Sequence, residues 1–311
     1  MVAPLNHDPQ KIEYRSGFVT VLGRPNVGKS TLINALLGQK VAAVSPRPQT
    51  TRRRQLGILT RDDAQLIFVD TPGIHTARHK LGKFLNQEAQ EALDGVDVIL
   101  FVVEASSEPN EDDRRIAALL DKTASRAPLV LAANKIDLVP EGELVSRLEK
   151  IRALVNREAK VVPISATKGE GLDELVDILI GHCTVRPPEY EEGQVTDLYE
   201  REIAADLIRE AALVKLRDEV PHGIAVRVDE FKERENGMAY IAATLFVERE
   251  SQKGIVIGEG GKMLKQIGTK ARQEIESMGG HKVFLELRVK VEKDWRNNEN
   301  ALKRFGYKLK K

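Results

Sequence analysis

A chain of 311 residues with 41% hydrophobic and 31% charged side chains is long enough for about two domains and too apolar for a disordered or fibrous protein. The longest apolar run, Val96 to Val103, is strand-sized and contains Asp97, which excludes a membrane span, and MVAPLNHDPQ lacks the apolar core of a signal peptide. Net charge is +1, but residues 187–250 carry 8 basic against 16 acidic side chains and residues 251–311 carry 15 against 7, which makes the last segment the candidate surface for an anionic partner.

In chain order, residues 1–184 alternate strands with helices, the pattern of an α/β fold with a mostly parallel six-stranded sheet. Strands are expected at Gly17–Leu22, Arg54–Leu59, Gln65–Val69, Val98–Val103, Leu129–Ala133 and Val161–Ile164. Helices are expected near Ser30–Leu37, Lys83–Leu93, Asp112–Leu120, Leu144–Asn156 and Leu172–Ile180. Only five residues separate the second and third strands, so that pair reads as an antiparallel hairpin at the sheet edge. Residues 185–196, with Pro187, Pro188 and an acidic run, read as a linker. Residues 197–311 then form an α+β unit in the order α-β-β-α-α-β, followed by a basic tail. The single cysteine, Cys183, cannot form an internal disulfide and fits a reducing, cytoplasmic compartment.

The segment Gly23-Arg24-Pro25-Asn26-Val27-Gly28-Lys29-Ser30, with Thr31 next, ends a strand and opens a helix, as a GxxxxGK[ST] phosphate loop requires. Backbone N–H groups close around phosphate oxygens there, Lys29 neutralises them, and the Ser30 hydroxyl suits Mg2+. Asp70-Thr71-Pro72-Gly73 follows the third strand, where Asp70 faces the metal through a water and the Gly73 N–H reaches a γ-phosphate. Asn134-Lys135-Ile136-Asp137 ends the fifth strand. A carboxylate at Asp137 accepts from guanine N1 and N2, a donor pair adenine lacks, so GTP is selected over ATP. Asn134 braces the neighbouring loops, the Lys135 stem covers the base, and Ser165-Ala166-Thr167 places the Ala166 N–H near guanine O6.

These motifs resemble the translation-factor-related GTPases. The resemblance implies that Thr51, with Thr50 as the alternative, supplies the second Mg2+ hydroxyl. It makes Lys29, Thr51, Gly73 and Asn26 the catalytic set, with Ser30, Thr51 and Asp70 at the metal. The position after DxxG, often Gln, is Ile74, which cannot orient water, so slow unaided hydrolysis is expected. In related GTPases with a hydrophobic residue there, an Asn in the phosphate loop helps hold K+, and Asn26 occupies that place. The Arg52–Arg54 run reads as a solvated strand edge or a surface steering phosphates or RNA.

Gly258-Glu259-Gly260-Gly261 is a GxxG turn between Ile257 and a helix carrying Lys262 and Lys265. With the element order, it resembles the type II KH domain, whose groove holds unpaired nucleotides. Glu259 departs from the basic residue common there. Ile255, Ile257, Met263 and Ile267 are candidates for the groove or for ordinary core. Trp295, Phe305 and Tyr307 are candidates for base stacking or for docking a terminal helix. The whole chain resembles the Era family of bacterial ribosome-assembly GTPases. That implies a GTP/GDP switch that binds the 3′ end of 16S ribosomal RNA and the small ribosomal subunit, as a cytoplasmic monomer with peripheral contact at the inner membrane face. A P-loop kinase, which would not need NKID, and a non-hydrolysing RNA-binding adaptor remain as rivals.

Overall fold

The computed structural model describes residues 13–45, 51–74, 79–217, 220–234 and 237–307. Its first half contains β1 (Arg15–Leu22), α1 (Lys29–Leu37), β2 (Gln55–Thr60), β3 (Ala64–Asp70), α2 (Lys80–Glu91), β4 (Val98–Glu104), α3 (Glu111–Lys122), β5 (Leu129–Asn134), α4 (Leu144–Arg152), β6 (Lys160–Pro163), α5 (Leu172–His182) and β7 (Thr184–Val185). The strands run in the order β2-β3-β1-β4-β5-β6, all parallel except the β2–β3 hairpin. β4 and β5 are buried almost throughout, which is why VILFVVE and LVLAAN are unbroken apolar runs rather than alternating ones. Asn110 starts α3 through a capping box with Asp113.

The sheet has seven strands rather than the expected six, because β7 pairs antiparallel with the start of β1. The segment beyond it has no apolar periodicity, yet it is fastened along the sheet edge. Ser16 Oγ donates to the Pro187 carbonyl (2.9 Å), Gln65 Oε1 accepts from the Glu189 and Tyr190 N–H groups (2.8 and 3.0 Å), and Ile58 N–H donates to the Val195 carbonyl (2.9 Å).

The second half contains α6 (Glu200–Lys215), β8 (Ala225–Glu233), β9 (Ala239–Val247), α7 (Glu250–Ile257), α8 (Lys262–Gly279), β10 (Val283–Val291) and α9 (Glu299–Arg304). Its sheet order is β10-β9-β8, with β8–β9 antiparallel and β9–β10 parallel. A parallel pair cannot be closed by a tight turn, so α7 and α8 form the crossover. Ile203, Leu207 and Ile208 of α6 meet Ile267, Ala271 and Ile275 of α8 and the inner sheet face in one core.

A separate apolar cluster joins the halves. Leu81, Phe84 and Leu85 of α2 pack with Ala225, Phe246 and the tail residues Trp295, Leu302, Phe305 and Tyr307. Trp295 is wholly buried, donates from Nε1 to the Gly223 carbonyl (2.8 Å) and meets Phe305 edge-on at 5.3 Å. Phe84 and Tyr307 form a second edge-to-face pair at 5.7 Å. Burial of such rings stabilises by about 1.5–3 kcal/mol each, so Trp295, Phe305 and Tyr307 hold the tail down and are not bases' stacking partners.

Cys183 ends α5 beneath Gly17 of β1, 3% exposed. Burial, reinforced by Asp97 and opposed by Arg186 and Arg15, pushes its thiol up to about 11. The thiolate is the reactive form, so iodoacetamide at pH 8 is expected to label Cys183 only on unfolding. Mass spectrometry of native and urea-treated protein checks this; rapid native labelling would contradict the burial.

Candidate functional site

The four GTPase-type motifs end neighbouring strands of the parallel sheet, so its carboxyl edge collects them on one side. Gly23 closes β1, and the turn through Asn26 (φ 65°) and Gly28 (φ 101°) brings the backbone round to start α1 at Lys29. Gly28 is required both for its φ and because a Cβ would strike Asn134 Nδ2. Val27 is buried in the core below. Pro25, Asn26, Gly28, Lys29, Ser30 and Thr31 line one pocket with Thr51 and Gly73. The Lys29 ammonium donates to the carbonyls of Gly23 (3.0 Å) and Arg24 (3.1 Å). Burial, with Arg24 adding to it and Asp70 opposing, lowers its pKa to about 8.

Asp70 is fully buried and is the centre of the oxygen cluster. Its Oδ2 accepts from Ser30 Oγ (3.0 Å), Thr51 Oγ1 (3.1 Å) and Gln55 Nε2 (3.2 Å), and the two hydroxyls lie 3.0 Å apart. Burial raises its pKa against the opposing Lys29 charge and these hydrogen bonds. Asp70 Oδ1 is buried with no hydrogen-bond partner among the described residues. One hard carboxylate with two hydroxyls and an unsatisfied buried oxygen suits Mg2+. Thr71 Oγ1 donates to the Val21 carbonyl (2.7 Å), tying this loop to β1, while Pro72 and Gly73 are buried beside it. Thr50 lies outside the described residues. Ile74 is 8% exposed and belongs to the core.

Asn134 spans two loops: its Nδ2 donates to the Val27 carbonyl (2.8 Å) and its Oδ1 accepts from the Ala166 N–H (3.0 Å). The Ala166 N–H is therefore committed to Asn134 rather than open toward a guanine O6. Asp137 is exposed, with Oδ1 accepting from Ser165 Oγ (2.6 Å), which lies 3.3 Å from Thr167 Oγ1. Lys135 has φ 68° and pairs with Glu104 (3.1 Å). The Arg24 guanidinium is held by Glu104 (2.8 Å) and Asp113 (3.1 Å), so what this residue presents to the loop is its backbone. Burial works to raise the Glu104 carboxyl, but hydrogen bonds from Ser106 and Lys135 and nearby cations hold it below its usual value. Gln55 and Glu104 carry no sequence signal; their roles depend on contacts across the sheet.

Arg52 is neither a solvated edge nor an RNA-steering surface: it is 3% exposed and donates from Nη1 to the Ile224 carbonyl (2.7 Å). Arg53 bonds the Phe305 carbonyl (2.9 Å) and Glu202 (3.3 Å), and only Arg54 is exposed.

In the second half, Ile257 ends α7, Gly258 takes φ 70°, and Gly260 and Gly261 carry the chain into α8 at Lys262. A Cβ on Gly258 would come within 2.7 Å of Met263 Cβ, so this turn position needs glycine for space as well as φ. Lys265 is exposed, and Glu259 lies 4.0 Å from Lys262 with both side chains in solvent. Ile267 is core, not groove, and Met263 packs on that core, while Ile255 is half exposed. An open groove lies between Leu264, Gly268 and Arg272 of α8 and Val283, Leu285 and Leu287 of β10. Sequence reasoning missed the β10 wall because strand pairing across the crossover creates it.

Residues 18–135 match the family model described as "50S ribosome-binding GTPase" and residues 219–296 match that of the KH domain. The chain is 46% identical to GTPase Era of Ruminiclostridium cellulolyticum over 300 residues, 96% of this chain and 100% of that one. Two solved structures align with TM-score 0.88 and 39% identity, each covering 95% of this chain and 100% of the other. One is Era in complex with MgGDPNP and nucleotides 1506–1542 of 16S ribosomal RNA. The other is a variant of Aquifex aeolicus Era bound to GDP·AlF4−.

Because Asn134 is the only side chain described as bonding both the Val27 and Ala166 loops, Asn134→Ala should release both. Two buried groups left unpaired cost about 1–3 kcal/mol each. Affinity for a fluorescent guanine nucleotide is expected to fall at least about tenfold, with a lowered melting temperature. Unchanged affinity would show that the loops hold their places independently.

Proposed function

This chain belongs to the Era family of GTPases, and from that premise we propose that it is a GTP-binding and GTP-hydrolysing switch whose KH half grips 16S ribosomal RNA near its 3′ end during small-subunit maturation. The observation that carries the nucleotide reading is the cluster of Ser30, Thr51 and Asp70 above the phosphate loop. Lys29, already desolvated, holds the β and γ phosphates, and Asn26, Gly28 and Gly73 line the space around them. Asp137 selects guanine through its free face. Asn134 keeps the base loop and phosphate loop in register. Ser30, Thr51 and Asp70 would hold Mg2+, which when bound offsets charge developing on the transferred phosphoryl group.

Catalysis is then positional and electrostatic. With Ile74 turned into the core, the residue that directly follows Gly73 does not orient water, so unaided turnover is slow. Asn26, exposed in a left-handed conformation at the pocket rim, is the residue to hold a K+ that adds the missing positive charge. The relatives support hydrolysis and RNA binding: one was solved with GDP·AlF4−, a mimic of the transferring phosphoryl group, and another with a 16S segment. We read the protein as a monomer of two units, 1–184 and 197–311, joined by 185–196. No helix among the described residues is long and apolar enough to cross a membrane, and the basic C-terminal surface is assigned to RNA rather than to a peripheral membrane contact.

Phosphate release from GTP should be measurable with Mg2+ and faster in K+ than in Na+ buffer; equal rates remove K+ from the reading, and no release even with immature small subunits favours the passive adaptor. Crosslinking in cells should enrich the small-subunit RNA 3′ end, and its absence would sink the RNA assignment. For single-stranded RNA each neutralised phosphate contributes about −0.7 to the slope of log K against log salt. Lys262→Ala with Lys265→Ala should therefore flatten that slope by about 1.4, measured by filter binding, and an unchanged slope would place the RNA elsewhere.

A further inference from the structure

Thr51 and Arg52 are adjacent in the chain and engage opposite halves of the molecule. Thr51 Oγ1 lies 3.0 Å from Ser30 Oγ and 3.1 Å from Asp70 Oδ2. One peptide later, the Arg52 guanidinium is buried in the C-terminal half, bonded to the Ile224 carbonyl at 2.7 Å and to the Tyr307 hydroxyl, and 5.6 Å from the centroid of the Trp295 ring. The Trp295 face attracts the cation. Arg209 and Arg296 add like charge nearby, so this seat is opposed by desolvation and by repulsion. The Ile224 carbonyl, the Tyr307 hydroxyl and the Trp295 ring are what hold Arg52 in it.

The start of the same segment is fastened to the C-terminal half as well. Glu210 of α6 accepts from the Val44 N–H (3.0 Å) and from Lys40 Nζ (2.9 Å), and is itself buried. The end at Thr51 is the one that also touches the nucleotide site.

Resting on the reading of Ser30, Thr51 and Asp70 as the Mg2+·GTP ligands, we propose that Arg52 is the positioning residue that couples nucleotide state to the C-terminal tail. Thr51 drawn onto Ser30 and Asp70 sets Arg52 between Ile224, Trp295 and Tyr307, and release of Thr51 withdraws it. The aromatic cluster of Trp295, Phe305 and Tyr307 loses its cation at that moment and loosens against Phe84 of α2. The switch thereby reaches the half that carries the GxxG turn through Arg52, next to Arg53, which bonds the Phe305 carbonyl and Glu202 of the same half.

Trp295 is the only tryptophan in the chain, so its emission reports on this seat directly. In the full-length protein with Mg2+, emission is expected to shift to longer wavelength when GDP replaces a non-hydrolysable GTP analogue. Arg52→Met, which keeps the aliphatic stem and removes the charge, should abolish the shift and bring the affinity ratio of analogue to GDP about tenfold closer to unity, a typical size for coupling between sites. Arg52→Lys, which keeps a cation and a donor, should restore part of the shift, and it decides the matter if the Met variant does not fold. Wild-type protein that binds both nucleotides with identical Trp295 emission overturns the coupling, as does Arg52→Met with the full shift and an unchanged ratio. Wild-type protein that binds neither nucleotide overturns the underlying assignment of the site instead.

Discussion

A buried carboxylate with one oxygen unsatisfied is a demanding thing to place at the end of a strand, and Asp70 is that constraint here. Its Oδ2 is saturated by Ser30, Thr51 and Gln55 while Oδ1 has no partner among the described residues, so the arrangement is complete only with a cation beside it. Because the three donors come from α1, the segment before β2 and β2 itself, the charge at Asp70 fixes how those parts approach one another. The phosphate loop has its place for the same reason: Lys29 is drawn toward the same carboxylate from inside the turn that Gly28 permits.

Beyond this centre, the molecule is joined by contacts of a different kind. The halves meet through an apolar cluster in which α2, the helix that follows Gly73, contributes Leu81, Phe84 and Leu85. The Leu81 N–H donates to the Arg296 carbonyl (3.0 Å) and Lys80 pairs with Glu299 (2.8 Å), so both the apolar face and the first turn of α2 rest on the tail. The segment at Thr51 and the helix that follows Gly73 therefore both touch the C-terminal half, one through Arg52 and one through α2.

What was legible in the sequence follows from how local each requirement is. Gly23 to Ser30, Asp70 to Gly73 and Asn134 to Asp137 are short runs in which one chemistry dictates residue type and spacing, and apolar runs such as VILFVVE mark the central strands. The α-β-β-α-α-β order of the second half was legible too, while the parallel pairing of β9 with β10 was not. Arg52, Gln55 and Glu104 were not legible, because their partners lie far along the chain and a charged residue near a strand reads as surface. β7 and the fastening of Tyr190 by Gln65 escaped for a related reason: backbone groups make those bonds. Ile267 was ambiguous because periodicity places a residue on a helix face without saying which side of the helix becomes core.

The pinned segment beyond β7 has a bearing on how the halves find each other. The Asp197 carboxylate accepts the Leu56 N–H (2.8 Å), Leu198 packs on the core of the second half and Tyr199 caps α6, so the connection between the two units is short and fastened at both ends. A tether that short keeps the tail at an effective concentration on the order of millimolar near α2. At such a concentration even a small contact of a few aromatic rings remains closed most of the time.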